Sequence, residues 1–144
     1  GQYMVDPANP QQTRVISAQG TEACSPIPIQ RGIIGRTIRT GDTQYVPDVS
    51  LDQDHVTCDK EMHGTEIVLP SWSEPYRAGN YKGLRVPLGV LDIDLNVHDA
   101  FSQDDVRRLE RIWKPYGKLV FPGSPSFEPP ENMARKYNGS PCIV

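Results

Sequence analysis

An alternating stretch at residues 89–95, GVLDIDL, constrains the fold of this chain more than any other sequence feature. Successive side chains of a β-strand point to opposite faces, so Leu91, Ile93 and Leu95 share one face. Asp92 and Asp94 share the other face. The pattern predicts a strand with one face on an apolar core and two carboxylates on the opposite face.

A second strand is predicted at residues 66–69, where the sequence reads EIVL. Its isoleucine and leucine share one face, and Glu66 lies on the other. If the two strands are neighbours with their acidic faces on the same side, Glu66, Asp92 and Asp94 converge. The alternative is that Asp92 and Asp94 only line the water-facing side of an antiparallel sheet.

An acidic loop at residues 48–59 precedes this strand and carries Cys58. We interpret the three aspartates before His55 as a solvated loop, because they lack the spacing, glycine and terminal glutamate of an EF-hand. Two interpretations of His55 stay open: it activates the thiol of Cys58, or it packs in the loop or faces solvent. With the two strands paired, this thiol would lie beside the three carboxylates.

Length and charge exclude several functional classes. The 144 residues fit one domain with a single core. With 15 basic and 18 acidic residues, the net charge of −3 gives no electrostatic footprint for nucleic acid or for an anionic membrane. No apolar run approaches the roughly 18 to 20 residues needed to cross a bilayer, and no secretory leader is recognisable. We expect a cytoplasmic protein.

The three cysteines are Cys24, Cys58 and Cys142. An odd number of widely spaced cysteines is not the framework of a small secreted domain, and no Cys-x-x-Cys motif is present. Inert thiols and redox-active thiols therefore both fit the composition. Cys142 lies one position too late for a prenylation signal, which argues against a lipid anchor.

The remaining elements follow from turn residues and apolar periodicity. Residues 1–120 are predicted to form one domain, and the proline-rich residues 121–144 an irregular tail. Ser102 with Asp105 is a variant capping box for the closing helix. The predicted elements are a hairpin (2–6 and 13–17), an edge strand or loop (24–28), a short helix (31–38) ended by Gly41, a strand (44–46), a strand (66–69), a long loop (71–85), a strand (86–95) and a helix with an apolar stripe (Val106, Leu109, Ile112, Trp113).

The order of these elements resembles the GAF domain over roughly residues 13–113. The resemblance is carried by GIIG at residues 32–35, VPDV at 46–49, EIVLP at 66–70 and GVLDID at 89–94. It implies an α+β fold, a GAF/PAS-like antiparallel sheet flanked by helices. The fold alone does not decide function, because GAF domains also bind cyclic nucleotides, chromophores and small metabolites.

A narrower set of strings resembles the GAF-domain family of free methionine-(R)-sulfoxide reductases. The strings surround Cys24 and Cys58, whose 34-residue spacing is that of the family, and include the acidic strands. The resemblance implies that Cys58 attacks the sulfoxide, that Cys24 resolves the intermediate, and that Glu66, Asp92 and Asp94 bind substrate. It also implies free L-methionine (R)-S-oxide as substrate, thioredoxin as reductant, and no metal or other cofactor. A homodimer is left open.

Two departures from the family favour a second hypothesis. Ile34 stands where the family normally has a third cysteine, and the chain is expected to lack the helix that opens family members. Both would suit a GAF sensory or small-molecule-binding module that keeps the pocket without the chemistry. The hypotheses differ in thiol geometry, because a reductase needs the Cα atoms of Cys24 and Cys58 to come within roughly 4.4–6.8 Å when bonded.

Overall fold

The computed structural model describes residues 1–20, 23–58, 63–75 and 82–120. A 3₁₀ turn covers Val49–Leu51. The strands and helices, in chain order, are β1 (Gln2–Asp6), β2 (Asn9–Ser17), β3 (Ile27–Pro28), α1 (Gly32–Thr40), β4 (Gln44–Val46), β5 (Thr65–Trp72), β6 (Pro87–Leu95) and α2 (Gln103–Val120).

The six strands form one antiparallel sheet in the order β3-β2-β1-β6-β5-β4. The first and last of the described strands, β1 and β6, therefore pair at its centre, with Tyr3 opposite Val90. β5 and β6 pair along almost their whole length. The predicted α+β fold with an antiparallel sheet is confirmed, and so is the adjacency of the two acidic strands.

Within the described ranges, one helix packs on each face of the sheet. On one face, α1 packs through Ile33, Ile34 and Ile38 on strand residues that include Val68 and Val90. On the opposite face, Trp113 of α2 packs with Ile67 and Leu69, and Leu91 and Ile93 lie against this cluster. The acidic strand faces therefore belong to a covered layer and not to a water-facing side of the sheet.

Local chemistry explains where the helices begin and end. The backbone of Gly41 adopts the left-handed conformation, with φ 73°, and its N–H donates to Thr37 O, which ends α1 as predicted. The capping box is confirmed: Asp105 N–H donates to Ser102 Oγ (3.1 Å), and Ser102 N–H donates to Asp105 Oδ2 (2.9 Å).

The predicted stripe of α2 is wrong at Ile112, which is 61% exposed. Val106, Leu109 and Trp113 follow the spacing of one helix face and lie in the apolar cluster. Ile112 is six residues after Val106, which rotates it about 120° from that residue at 100° per residue. The helix also passes through Pro115 and continues to Val120.

The largest differences between predicted and observed strand boundaries are at the start of β2 and the end of β5. β2 begins at Asn9 and not at residue 13, because the Asp6 carboxylate accepts the Ala8 N–H (2.9 Å) and closes a short turn. β5 extends to Trp72, into the region predicted as a long loop. The rest of that loop is only partly described, and the predicted tail at 121–144, with Cys142, lies outside the described residues.

Neither helix within the described ranges combines the length and apolar character needed to cross a membrane.

Candidate functional site

The register of β5 and β6 brings the three predicted carboxylates together. Glu66 lies opposite Asp94, and Asp92 lies opposite Val68, the next inward residue of β5. Because alternate residues of a strand share a face, Glu66, Asp92 and Asp94 point to the same side. One carboxyl oxygen from each lies within 4.8 Å of the others.

The environment of this acid cluster favours protonated carboxyl groups. Glu66 and Asp92 are only 5% and 6% exposed, whereas Asp94 lies at the open side. Burial raises the pKa of Glu66, and the neighbouring Asp92 and Asp94 raise it further. Burial and Asp94 likewise raise the pKa of Asp92, and burial raises that of Asp94. The cluster therefore holds protons at pH values where ordinary carboxyl groups have lost them.

The acid cluster lines a cavity of about 860 Å³. Tyr3 of β1 forms part of the wall, and burial, followed by the charges of Asp92 and Asp94, raises the pKa of its hydroxyl. That hydroxyl stays protonated over the physiological range. Ile33 and Ile34, at the start of α1, form an apolar part of the wall. Ile34, which stands at the position of the third cysteine in the resembling family, therefore faces the cavity. The cavity combines polar and apolar surfaces, as a small-molecule site does.

Cys58 also lines this cavity and is bonded to Cys24 by a disulfide. The two Cα atoms are 5.4 Å apart, although the residues are separated by 34 positions in sequence. This distance lies within the range expected for a bonded pair. The structure therefore brings the predicted thiol pair and the predicted carboxylates into one site.

The acidic loop before Cys58 is more ordered than a solvated loop. Asp48 caps the 3₁₀ turn by accepting the Ser50 N–H (2.9 Å). Arg36 of α1 donates to Asp52 Oδ2 (2.6 Å), and this hydrogen bond lowers the pKa of Asp52. Two of these aspartates thus have specific structural partners, which corrects the sequence interpretation.

Gly32 allows α1 and the loop that carries Cys58 to pack closely. Its φ of +77° is a conformation that residues with a side chain rarely adopt. A Cβ atom at this position would lie 2.9 Å from Val56 Cγ2. Two residues before Cys58, the loop therefore rests directly on the backbone at the start of α1.

His55 faces the acid cluster, an arrangement that sequence reasoning missed. Its Nε2 lies 3.5 Å from Glu66 Oε2, and its Nδ1 lies 3.5 Å from Thr57 Oγ1. Burial lowers the pKa of His55, with Asp94 and Asp52 acting in the opposite direction. The described contacts of the His55 ring are therefore with Glu66 and Thr57. The hypothesis that His55 activates the thiol would instead need its ring beside Cys58.

Tyr3 could have been found from the sequence pattern, whereas the ion pair of Arg36 with Asp52 could not. Tyr3 and Val5 alternate inward on β1, so the period of two could have placed Tyr3 on the inner face. The ion pair of Arg36 with Asp52 joins residues 16 positions apart and leaves no periodic signal.

The acid cluster is also the place where the structure could hold a cation. Among the residues that the structure describes, Glu66, Asp92 and Asp94 form the group of potential ligands with metal-compatible spacing. Asp92 Oδ1 is buried without a hydrogen-bond partner, so it is available to a donor entering the cavity. An organic ammonium group would satisfy the same oxygens.

The chain is similar in sequence to curated proteins of known activity, although it matches no family model. No family model matches the chain. The free methionine-R-sulfoxide reductase of Saccharomyces cerevisiae is 33% identical over 113 residues, which cover 78% of this chain and 57% of that protein. The chain therefore spans less than two thirds of this relative.

Two solved structures share the fold over most of the chain. The fRMsr of Staphylococcus aureus in complex with its substrate is 31% identical, with a TM-score of 0.63, and the match covers 83% of this chain and 69% of that one. A structure described as a GAF domain is 31% identical, with a TM-score of 0.66 and coverage of 82% and 61%. The chain belongs to the GAF-domain family of free methionine-R-sulfoxide reductases.

Proposed function

We propose that this protein reduces free L-methionine (R)-S-oxide to methionine, using Cys58 as the nucleophile and Cys24 as the resolving thiol. The observation that carries the proposal is the single cavity lined by Cys58 and the three carboxyl groups, with Cys24 bonded to Cys58. Relatives named for this activity support the choice of substrate.

The carboxyl groups explain the selection of a free amino acid. Carboxyl oxygens of Glu66, Asp92 and Asp94 accept hydrogen bonds from the substrate's ammonium group, and Asp92 Oδ1 has no competing partner. A methionine sulfoxide within a peptide has no free amine at this position. The apolar wall at Ile33 and Ile34 accommodates the aliphatic part of the substrate.

The reaction needs a sulfur nucleophile and a proton for the departing oxygen. The sulfur of Cys58 attacks the sulfoxide sulfur, while a protonated carboxyl group of the acid cluster donates its proton to the oxygen. The transient bond between the two sulfurs and the substrate's S–O bond then break as the hydroxyl passes to the Cys58 sulfur, which leaves a sulfenic acid on Cys58 and reduces the sulfoxide to methionine. The proton that the Cys58 thiol loses as its sulfur attacks replaces the proton that the carboxyl group gives up, so the carboxyl group ends the step protonated.

Cys24 completes the cycle. Its thiol attacks the sulfenic sulfur of Cys58, forming the disulfide and releasing water. An external dithiol of the thioredoxin class then reduces the disulfide and is itself oxidised by two electrons. A reducing cytoplasm supplies such dithiols.

The acid cluster would repel a thiolate if every carboxyl group were charged. The raised pKa values of Glu66 and Asp92 reduce this repulsion, because part of the cluster remains neutral. The substrate's ammonium group adds a positive charge as it binds. Thiol activation is therefore strongest when the substrate is present.

The decisive experiment incubates the reduced protein with each epimer of free methionine S-oxide and follows methionine release. We expect release from the (R)-epimer only, with a Cys24–Cys58 bridge mapped by mass spectrometry. N-acetylmethionine (R)-S-oxide, which lacks the ammonium group, is the matched control and should react poorly. Binding of the (R)-epimer without release would contradict the proposal and favour a sensory GAF module.

A further inference from the structure

Arg36 of α1 contacts the loop that carries Cys58. Its Nη2 donates to Asp52 Oδ2 at 2.6 Å, and the Arg36 and Asp52 side chains are 28% and 15% exposed. Partial burial makes such a charge-assisted hydrogen bond more effective than a fully exposed ion pair.

Asp52 also organises the loop itself. Its second carboxylate oxygen accepts the Asp54 N–H (2.9 Å), and its backbone carbonyl accepts the His55 N–H (3.2 Å). One side chain therefore connects α1 to the segment that runs directly into Cys58. Arg36 holds the pKa of Asp52 below its ordinary value, so the carboxylate is charged at neutral pH.

The other contacts that tie this loop to α1 and to Cys24 are longer, apolar or dependent on the oxidation state. Arg39 Nη2 lies 3.8 Å from Asp54 Oδ2, a long contact with a more exposed carboxylate. Val56 packs on Gly32 through apolar atoms. The covalent link to Cys24 exists only in the oxidised protein. When the disulfide is reduced, the ion pair of Arg36 with Asp52 is the short charged contact between α1 and this loop among the described residues.

Cys24 packs against the apolar cluster that includes Ile33 and Ile34 of α1. We propose that Arg36 is a positioning residue: its ion pair with Asp52 holds the Cys58 loop on α1 and so keeps the thiols of Cys58 and Cys24 close together in the reduced protein. Holding two groups close raises their effective concentration and favours the bond between them. Arg36 therefore makes the disulfide easier to form and harder to reduce. The redox effect is independent of the proposed function; only its consequence for turnover rests on that function.

The test measures the equilibrium between the protein dithiol with oxidised dithiothreitol and the protein disulfide with reduced dithiothreitol. A Cys142→Ser background removes the third thiol. We expect Arg36→Gln and Asp52→Asn each to lower the equilibrium constant for disulfide formation about fivefold, since each removes one charge-assisted hydrogen bond. The Asn side chain can still accept the Asp54 N–H, so its effect reports the lost charge.

The double variant distinguishes positioning from general damage. Because both substitutions remove the same ion pair, Arg36→Gln with Asp52→Asn should lower the constant no further than either alone. Arg14→Gln is the matched control: Arg14 pairs with the buried carboxylate of Asp6 (2.5 Å) at the far end of β1. This control can destabilise the fold but should leave the redox constant unchanged.

Three outcomes would overturn the inference: an Arg36→Gln constant equal to the parent's, additive effects in the double variant, or an equal loss in Arg14→Gln. Thermal melting verifies folding, and Asp52→Asn alone carries the test if Arg36→Gln does not fold. A parent protein that releases no methionine would refute the proposed function, while the dithiothreitol equilibrium would still decide the role of Arg36.

Discussion

The two faces of the sheet differ in what they bury. Towards α2, the residues around Trp113, Ile67 and Leu69 are apolar, and their packing follows the ordinary rule of core formation. Towards α1, the same two strands bury Glu66 and Asp92 beside a disulfide and a cavity. The α2 face of these strands is apolar, whereas the α1 face combines a larger apolar cluster with buried carboxyl groups, whose burial costs stability.

This difference explains why the acidic groups lie on strands at all. β5 and β6 are fixed from behind by the apolar face, so the carboxyl groups cannot separate when they repel each other. A rigid support of this kind maintains the strained electrostatics that shift a pKa. The comparison predicts that substitutions on the two faces will separate activity from stability.

The largest effect is expected on the cavity face, for Cys58→Ser. A serine hydroxyl is a far weaker nucleophile than a thiol, so methionine release should fall at least about a thousandfold. The melting temperature of the reduced protein should hardly change. Release assays on Cys142→Ser provide the control, which should keep full activity. A fully active Cys58→Ser protein would show that Cys58 is not the nucleophile.

Cys24→Ser should separate the two halves of the cycle. The first reduction still proceeds at Cys58, giving about one methionine per protein, but steady-state turnover should fall about a hundredfold without a resolving thiol. Rapid-quench counting of methionine with trapping of the sulfenic acid measures both quantities. Continued fast turnover with thioredoxin would mean that another thiol or the reductant itself resolves the intermediate.

On the α2 face, Trp113→Ala should lower stability and leave activity largely unchanged, the opposite of the cysteine variants. Trp113 is 8% exposed, and removal of a buried Trp side chain lowers the free energy of unfolding by about 3–5 kcal/mol. Activity per folded molecule should be retained at low temperature. Urea unfolding provides the measurement, with exposed Ile112→Ala as a control expected to change stability by less than about 0.5 kcal/mol. Equal losses in both variants would refute the assigned packing.

The smallest effect is a pH dependence from the acid cluster. Burial raises the pKa values of Glu66 and Asp92, so the folded chain keeps protons that the unfolded chain releases above about pH 4. The free energy of unfolding must then fall as pH rises from that point towards the raised pKa values.

Glu66→Gln removes one of these protonation sites. Between pH 5 and 8 the parent should lose about 1–2 kcal/mol more stability than this variant. Urea unfolding at the two pH values measures the difference, with Glu110→Gln on the exposed side of α2 as control. If the free energy of unfolding changed equally with pH in the parent and in Glu66→Gln, burial would not raise the pKa of Glu66, and the prediction would be wrong.

The sequence predicted features that repeat along one segment. The period of two in β5 and β6 predicted both the strands and the common side of Glu66, Asp92 and Asp94. The capping box at Ser102 and the glycine that ends α1 were recognised from local chemistry. The pairing of Cys24 with Cys58 came from the family resemblance, and the structure contains that disulfide.

Features that depend on distant segments were not predictable in the same way. The cover that α1 places over the acidic face, and the ion pair of Arg36 with Asp52, arise from tertiary packing. His55 was placed near Cys58 in sequence, but only the fold shows its ring beside Glu66. Ile112 was wrongly assigned to the buried stripe, because the four predicted residues span more of the helix circumference than the buried face does.

The strand order has a consequence for how the molecule is made. β1 and β6 form the middle of the sheet, yet Gln2 pairs with Leu91 at nearly the opposite end of the domain sequence. During synthesis, the β1–β2 hairpin can form early, but the edge of β1 stays unpaired until its partners at residues 89–91 have emerged. Such long-range pairing slows folding. The cavity, whose wall combines Tyr3 of β1 with Asp92 and Asp94 of β6, therefore cannot be completed until these two strands have paired.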